Sequence, residues 1–262
     1  MNEQDTETHV QADLRTVLEE MIAAWEDAPG PAPHLIKSSD RADSAEVGAE
    51  VVIWAWTNRV VRTAQAAVVL HDGEFDVEAS PLRRTLLEHA VAIHWLADKR
   101  GPAYQALARA RSLNMQKLKS AQDAGWQLNE EQQRLLDEAI AIETDDDTLS
   151  ENTFLHARQR AEAYGLGSLH QGWVIETWTS HPSLMSALPY YEHQEESLDT
   201  ELYPFPKPMA REALLIVGVA LHIALTGYER LVADAFGGQL AEWQSRLNAI
   251  AERVRALDQA DG

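Results

Sequence analysis

Apolar residues recur every three to four positions along most of this chain, and no stretch alternates with period two over a useful length. That spacing is the signature of amphipathic helices. It predicts helices over Val10–Trp25, Ser44–Leu70, Pro81–Leu96, Ala103–Ala124, Glu130–Glu143, Glu151–Tyr164, Leu169–Thr179, Pro208–Phe236 and Leu240–Leu257. Their breaks carry the expected residues. Pro31 and Pro33 stop the first. Gly73 suits a left-handed C-cap after His71-Asp72. Ser80 can cap the next helix and Pro81 can occupy its first position. Gly101-Pro102 divides that helix from its successor. His181 precedes Pro182 and is pushed out of the α region. Residues 189–208, with four Pro, three Tyr and five acids, read as one long irregular loop. The prediction is an all-α protein, a single globular multi-helix domain of about eight helices. Residues 1–40 form an acidic N-terminal helix and linker, and residues 41–262 form the helical core domain.

The run Ala213–Thr226 is apolar almost throughout and holds His222 near its centre. It falls short of the ~20 residues that cross a bilayer, so it reads as the buried central helix near the C-terminus, with His222 a satisfied core residue. Met1–Gln11 is polar and acidic, without the basic start and apolar core of a signal peptide. The chain has no Cys, which removes disulfides, thiolate metal sites and thiol nucleophiles from consideration. A cytoplasmic location is expected.

Charge narrows the partners. The net charge of −20 comes from 22 basic and 42 acidic residues, a field that repels phosphate backbones and makes nucleic acid an unexpected partner. The balance is uneven. Residues 1–50 hold 12 acidic and 3 basic residues, whereas residues 81–120 hold 8 basic and 2 acidic ones. The basic stretch is expected to pair with the protein's own acids.

Several chemistries have no pattern here. There is no Gly-rich phosphate loop, no Gly-x-Ser-x-Gly elbow and no His-Glu-x-x-His. None of the ten His has Glu three residues before it, as helical di-iron carboxylate sites require. No metal site and no cofactor is therefore assigned.

What remains is a cluster in the third helix. Leu82, Leu86, His89, Ile93 and Leu96 form its apolar stripe, so His89 faces the core, where a His needs hydrogen-bond partners. Arg84 and Glu88 are spaced for an ordinary i, i+4 salt bridge. His181, at a helix break and flanked by Trp173, Trp178 and Tyr190-Tyr191, is placed to face a cleft. Arg62, with Asn58 and Gln65, forms a narrow polar stripe on an otherwise apolar helix, facing either solvent or a polar pocket. The acid-rich segment Glu192–Glu201 reads as a solvated loop.

Two resemblances follow from these residues. Arg84 and His89 spell Arg-x-x-x-x-His, which resembles the HEPN helical ribonucleases. That resemblance implies a phosphate contact for Arg84 and acid–base work for His89. Thr85 follows the Arg, where that family prefers Asn, Asp or His. The stretch Pro81-Leu82-Arg83-Arg84 to Glu88-His89-Ala90, the Trp95-Leu96 beyond it and Ser180-His181-Pro182-Ser183 together resemble a bacterial family of helical proteins of unknown function. The likeness spans residues 45 to 235. It implies an all-helical fold, supplies no activity, and marks Arg84, Glu88, His181 and Ser183 as distinctive, with Glu88 expected to meet His181.

The expected function is binding, with transformation left open, of a small organic molecule in an inter-helix pocket. Glu88, His89 and His181 are its candidate catalytic residues. Arg62, Arg84, Trp95, Trp178 and Ser183 are its candidate binding residues. The alternatives are a metal-independent HEPN-like ribonuclease or toxin, and a non-catalytic interaction or scaffold protein. A homodimer stays open as the assembly, and no membrane partner is expected.

Overall fold

A computed structural model describes residues 3–30, 41–122, 127–141, 156–193, 200–206 and 212–260. The protein is all-α, with nine α-helices and one two-stranded hairpin among the described residues. The helices are α1 (Glu3–Asp27), α2 (Arg41–Asp72), α3 (Ser80–Gln122), α4 (Glu130–Ile140), α5 (Ala157–Ala163), α6 (Gly167–Ser180), α7 (Leu184–Ala187), α8 (Ala213–Glu229) and α9 (Gln239–Ala260). No helix among the described residues is long and apolar enough to cross a membrane.

The apolar run forms the centre, as its composition requires. Leu214, Val217, Ala220, Leu221, Ala224 and Leu225 of α8 are buried on several sides at once. Around α8 pack α1, α2, α3 and α9. Val10, Leu14, Val17, Leu18 and Met21 bring α1 into this same core. On the far side, α3 carries α4, α5 and α6. In the centre, α3 lies tight against α8 at Gly227, where a Cβ would lie 2.7 Å from Ile93 Cγ2 and 3.0 Å from the His94 ring. His94 bonds across the same seam to the Ile223 carbonyl at 2.8 Å. His222 is buried and bonds through Nε2 to the Leu240 carbonyl at 2.9 Å, the satisfied core role its setting suggested.

Several local details differ from the sequence reading. Gly73 is not the left-handed residue after α2; Glu74 is, at φ 64°. Ser80 does not cap α3, because its hydroxyl is spent on α6 (below), and Ala79 supplies the carbonyl for Leu82 and Arg83 instead. The Gly101-Pro102 break is real but brief. Arg100 takes φ 50°, ψ −126°, and the helix resumes at once. The Gly101 amide donates to Glu46 Oε1 at 3.0 Å, and a Cβ there would sit 2.6 Å from that oxygen. A side chain of α2 thus takes up the Gly101 amide at the kink beside Arg100.

The region read as one irregular loop contains a short 3₁₀ turn, Leu188–Tyr190, and the hairpin β1 (Tyr191–His193) and β2 (Thr200–Leu202), in register Tyr191 to Leu202. Strands of three residues are too short for alternation to be visible. The apolar helix is shorter than expected and ends at Glu229, before a turn through Asp234 at φ 58°. Residues 144–148, which read as an acidic loop in the sequence, lie outside the described residues.

Candidate functional site

The start of α3 and the end of α6 are joined by buried polar groups. Arg83 is 1% exposed and Glu176 is 2% exposed. Arg83 Nε donates to Glu176 Oε1 at 2.7 Å, and the Ser80 hydroxyl donates to Glu176 Oε2 at 2.6 Å. The Thr179 and Ser180 hydroxyls gather round Ser80. Both carboxylate oxygens are therefore used, which a buried charge requires. Arg83 Nη1 reaches on to the Asp76 carbonyl at 2.8 Å. The clasp thus also holds the turn between α2 and α3.

Sequence reasoning missed both partners, choosing Arg84 and Glu88 instead. A usable sign was present: Glu176 is the single acid in Gly167–Ser180, among Trp173, Val174 and Ile175. An acid in so apolar a helix needs a cation to face.

Arg84 and His181 do come together. Arg84 Nη1 donates to His181 Nε2 at 2.8 Å, and the guanidinium lies over the Trp173 ring at 5.4 Å. To accept, that imidazole must be neutral with its proton on Nδ1. Arg84 Nε is buried and has no hydrogen-bond partner among the described residues. The expected Arg84–Glu88 pair is thus replaced by an Arg84–His181 pair, because His181 and Trp173 offer Arg84 a partly buried seat. Glu88 does not meet His181. It is exposed at a crevice of about 10 Å3 bounded by Arg160, His170 and Trp173, among others, room for no more than about one water. Arg160 is buried there, and desolvation lowers its pKa to about 10 against the opposing charge of Glu88.

His89 faces elsewhere. It is half-buried, donates from Nδ1 to the Thr85 carbonyl at 2.9 Å and meets the Trp56 ring edge-on at 5.8 Å. Burial lowers its pKa below 6.5. His181 is exposed, and neither it nor His89 lines the crevice at Glu88. The single secluded space expected for Glu88, His89 and His181 is not formed there: Arg84 and His89, five positions apart, turn to different neighbours.

The remaining candidates separate as well. Trp95 is buried under the Arg160 guanidinium, 5.9 Å from ring centre. Trp178 is 51% exposed. Ser183 caps α7, accepting from the Ser186 amide at 3.2 Å and donating to the Trp178 carbonyl at 2.6 Å. Its position is accounted for by this local structure. Arg62 is exposed and borders a cleft of about 410 Å3 between α1 and α2. Among the described residues, no cluster of three or more His, Asp or Glu is arranged to hold a metal ion.

A second polar centre lies where α2 turns into α3, and sequence reasoning passed it over. His71 Nδ1 sits 2.9 Å from each Asp76 carboxylate oxygen. No described residue bonds its Nε2. The pair borders a cleft of about 720 Å3 between this turn and the hairpin, walled by Phe75, Tyr190, Pro204, Phe205 and Pro206. Phe75 and Phe205 are largely exposed. The Tyr190 hydroxyl donates to Glu78 Oε1, which raises the phenol's pKa.

An all-helical protein whose third and sixth helices are clasped by a buried Arg–Glu pair is the class that fold and site define. The profile of a family of unknown function, DUF5677, matches residues 50–197, the stretch from within α2 to the hairpin that holds the clasp, the Arg84–His181 pair and His71–Asp76. The chain belongs to this family. Comparison with curated proteins and with solved structures gives no match.

Proposed function

We propose that this protein binds a small organic molecule in the cleft between the α2–α3 turn and the hairpin, with His71 exchanging a proton with it. The observation that carries the reading is the His71–Asp76 pair at the wall of a cleft of about 720 Å3. Small-molecule pockets span ~300–1,000 Å3 and combine apolar walls with a few polar groups. Phe75, Tyr190 and Phe205 supply the walls here. With Nδ1–H given to Asp76, the imidazole keeps a lone pair on Nε2, the arrangement of a general base with its orienting carboxylate. Arg83 supports the same reading. Its bond to the Asp76 carbonyl steadies the turn that carries the carboxylate, as a functional site needs. The small-molecule expectation is kept, and its polar centre moves from His89 and His181 to His71.

The test is a thermal-shift screen of a metabolite library on the wild type, His71→Ala and Phe205→Ser. A ligand at about 100 times its Kd adds ~2.7 kcal/mol of stability. A stabiliser of the wild type that loses its effect on both variants is the expected result. A library without any stabiliser, or one whose hits act on both variants as on the wild type, would overturn the proposal.

A further inference from the structure

The cleft between the end of α1 and the middle of α2 is a different place with different chemistry. It holds about 410 Å3 and is bordered by Trp25, Glu26, Trp54, Asn58, Arg62 and Gln65, among others. The Trp25 side of its aromatic wall is held in place. Trp25 Nε1 donates to Asn58 Oδ1 at 3.1 Å, Asn58 Nδ2 donates to the Trp54 carbonyl at 3.1 Å, and the Trp25 ring meets Tyr228 edge-on at 4.7 Å. Trp54 is 42% exposed, an apolar surface that a ligand would cover.

Two opposite charges border this wall from different helices, Glu26 on α1 and Arg62 on α2. Neither has an ion-pair or hydrogen-bond partner among the described residues. Arg62 stands so in a chain with 42 acids and 22 bases. A plain anion would be drawn to Arg62 and repelled by Glu26, and a plain cation would meet the reverse. One ligand satisfies both: a molecule with a carboxylate, an ammonium and an apolar body for the two indoles.

We infer that this cleft binds a free α-amino acid with an apolar side chain, its carboxylate on Arg62, its ammonium on Glu26 and its side chain against Trp25 and Trp54. Gln65 stands beside Arg62 one turn along α2, close enough to donate to the same carboxylate. The held Trp25 ring lowers the ordering cost of binding. This site is independent of the cleft at His71, and either proposal can fail without the other.

The experiment is calorimetric titration of the full chain with L-phenylalanine, L-leucine and L-methionine. The controls are 3-phenylpropionate, which lacks the ammonium, and 2-phenylethylamine, which lacks the carboxylate. Saturable binding of at least one amino acid is expected, with the controls weaker by about tenfold or more, the worth of one charge-assisted hydrogen bond. Arg62→Ala should remove the preference over the amine, and Glu26→Gln the preference over the acid. Both residues are exposed, so circular dichroism should show the variants folded. No saturable binding by any of the three amino acids overturns the inference. So does equal binding of the controls, or variants that bind as the wild type does.

Discussion

Arg83 on α3 and Glu176 on α6, 93 positions apart, meet at 2.7 Å with both side chains nearly sealed from water. Desolvating two charges costs several kcal/mol, which their attraction and the Ser80 and Asp76 bonds offset. Such a pair is a weak source of net stability but a strict one of geometry, because each half is costly without the other.

Arg83→Met alone should therefore destabilise by about 3–5 kcal/mol, since Glu176 would be left charged and buried. Arg83→Met with Glu176→Leu should recover most of that loss. Urea unfolding of the four proteins of the cycle checks this. Additive losses would mean that the two side chains do not act as a pair.

The His71–Asp76 bond fixes a tautomer. Nitrogen NMR of labelled protein at neutral pH should find the His71 proton on Nδ1, and Asp76→Ala should shift the population toward the Nε2–H form. A wild-type imidazole protonated on Nε2 alone would remove the basis for His71 as a base.

Two buried imidazoles and one half-buried one make stability depend on pH. His89, His94 and His222 all have pKa values lowered from 6.5 by desolvation, opposed in each by a backbone hydrogen bond. The unfolded chain binds protons that the folded one refuses, so ∂ΔG/∂pH is positive in this window. Their contribution is complete above 6.5 and falls as the pH drops below it toward the folded values. The carboxylates of Asp72 and Asp98, lowered from 3.8 by their Arg15 and Lys99 partners, add a further loss only at lower pH. Urea midpoints measured between about pH 7 and 5 should fall, and His222→Gln should flatten the slope. A midpoint that holds or rises on acidification would contradict the burial of these rings.

Two glycines should respond oppositely to Ala. Gly227→Ala drives a methyl into Ile93 and His94 at the α3–α8 seam and should cost about 1–3 kcal/mol, as overpacking does. Gly172→Ala lies inside α6, with its nearest neighbour, Leu87 Cδ1, 3.4 Å away. It should gain about 0.5–1 kcal/mol from helix propensity. Thermal melts of both variants decide, and a neutral Gly227→Ala would mean a looser seam between α3 and α8.

Helix positions were legible in the sequence wherever burial is periodic. Val10–Trp25 and Leu240–Leu257 lie inside α1 and α9, because one-sided burial writes a period of 3.6 into the chain, whereas the apolar helix expected over Pro208–Phe236 stops at Glu229. The hairpin was not legible, since three residues carry no period. Nor was the role of Ser80, whose hydroxyl reaches a carboxylate 96 positions away when a local cap was equally open to it.

By itself, the sequence determined the fold class and the segments to be buried, because apolar burial and backbone hydrogen bonding act locally and leave a spacing. The family resemblance brought the 80s and the 180s forward as partners. Tertiary structure alone decided that Arg83, not Arg84, takes the carboxylate, that Arg84 takes His181, and that His71 faces Asp76 beside a cleft. The direction of a charged side chain depends on which partner desolvation leaves within reach. That is a property of packed helices in three dimensions and leaves no period along the chain.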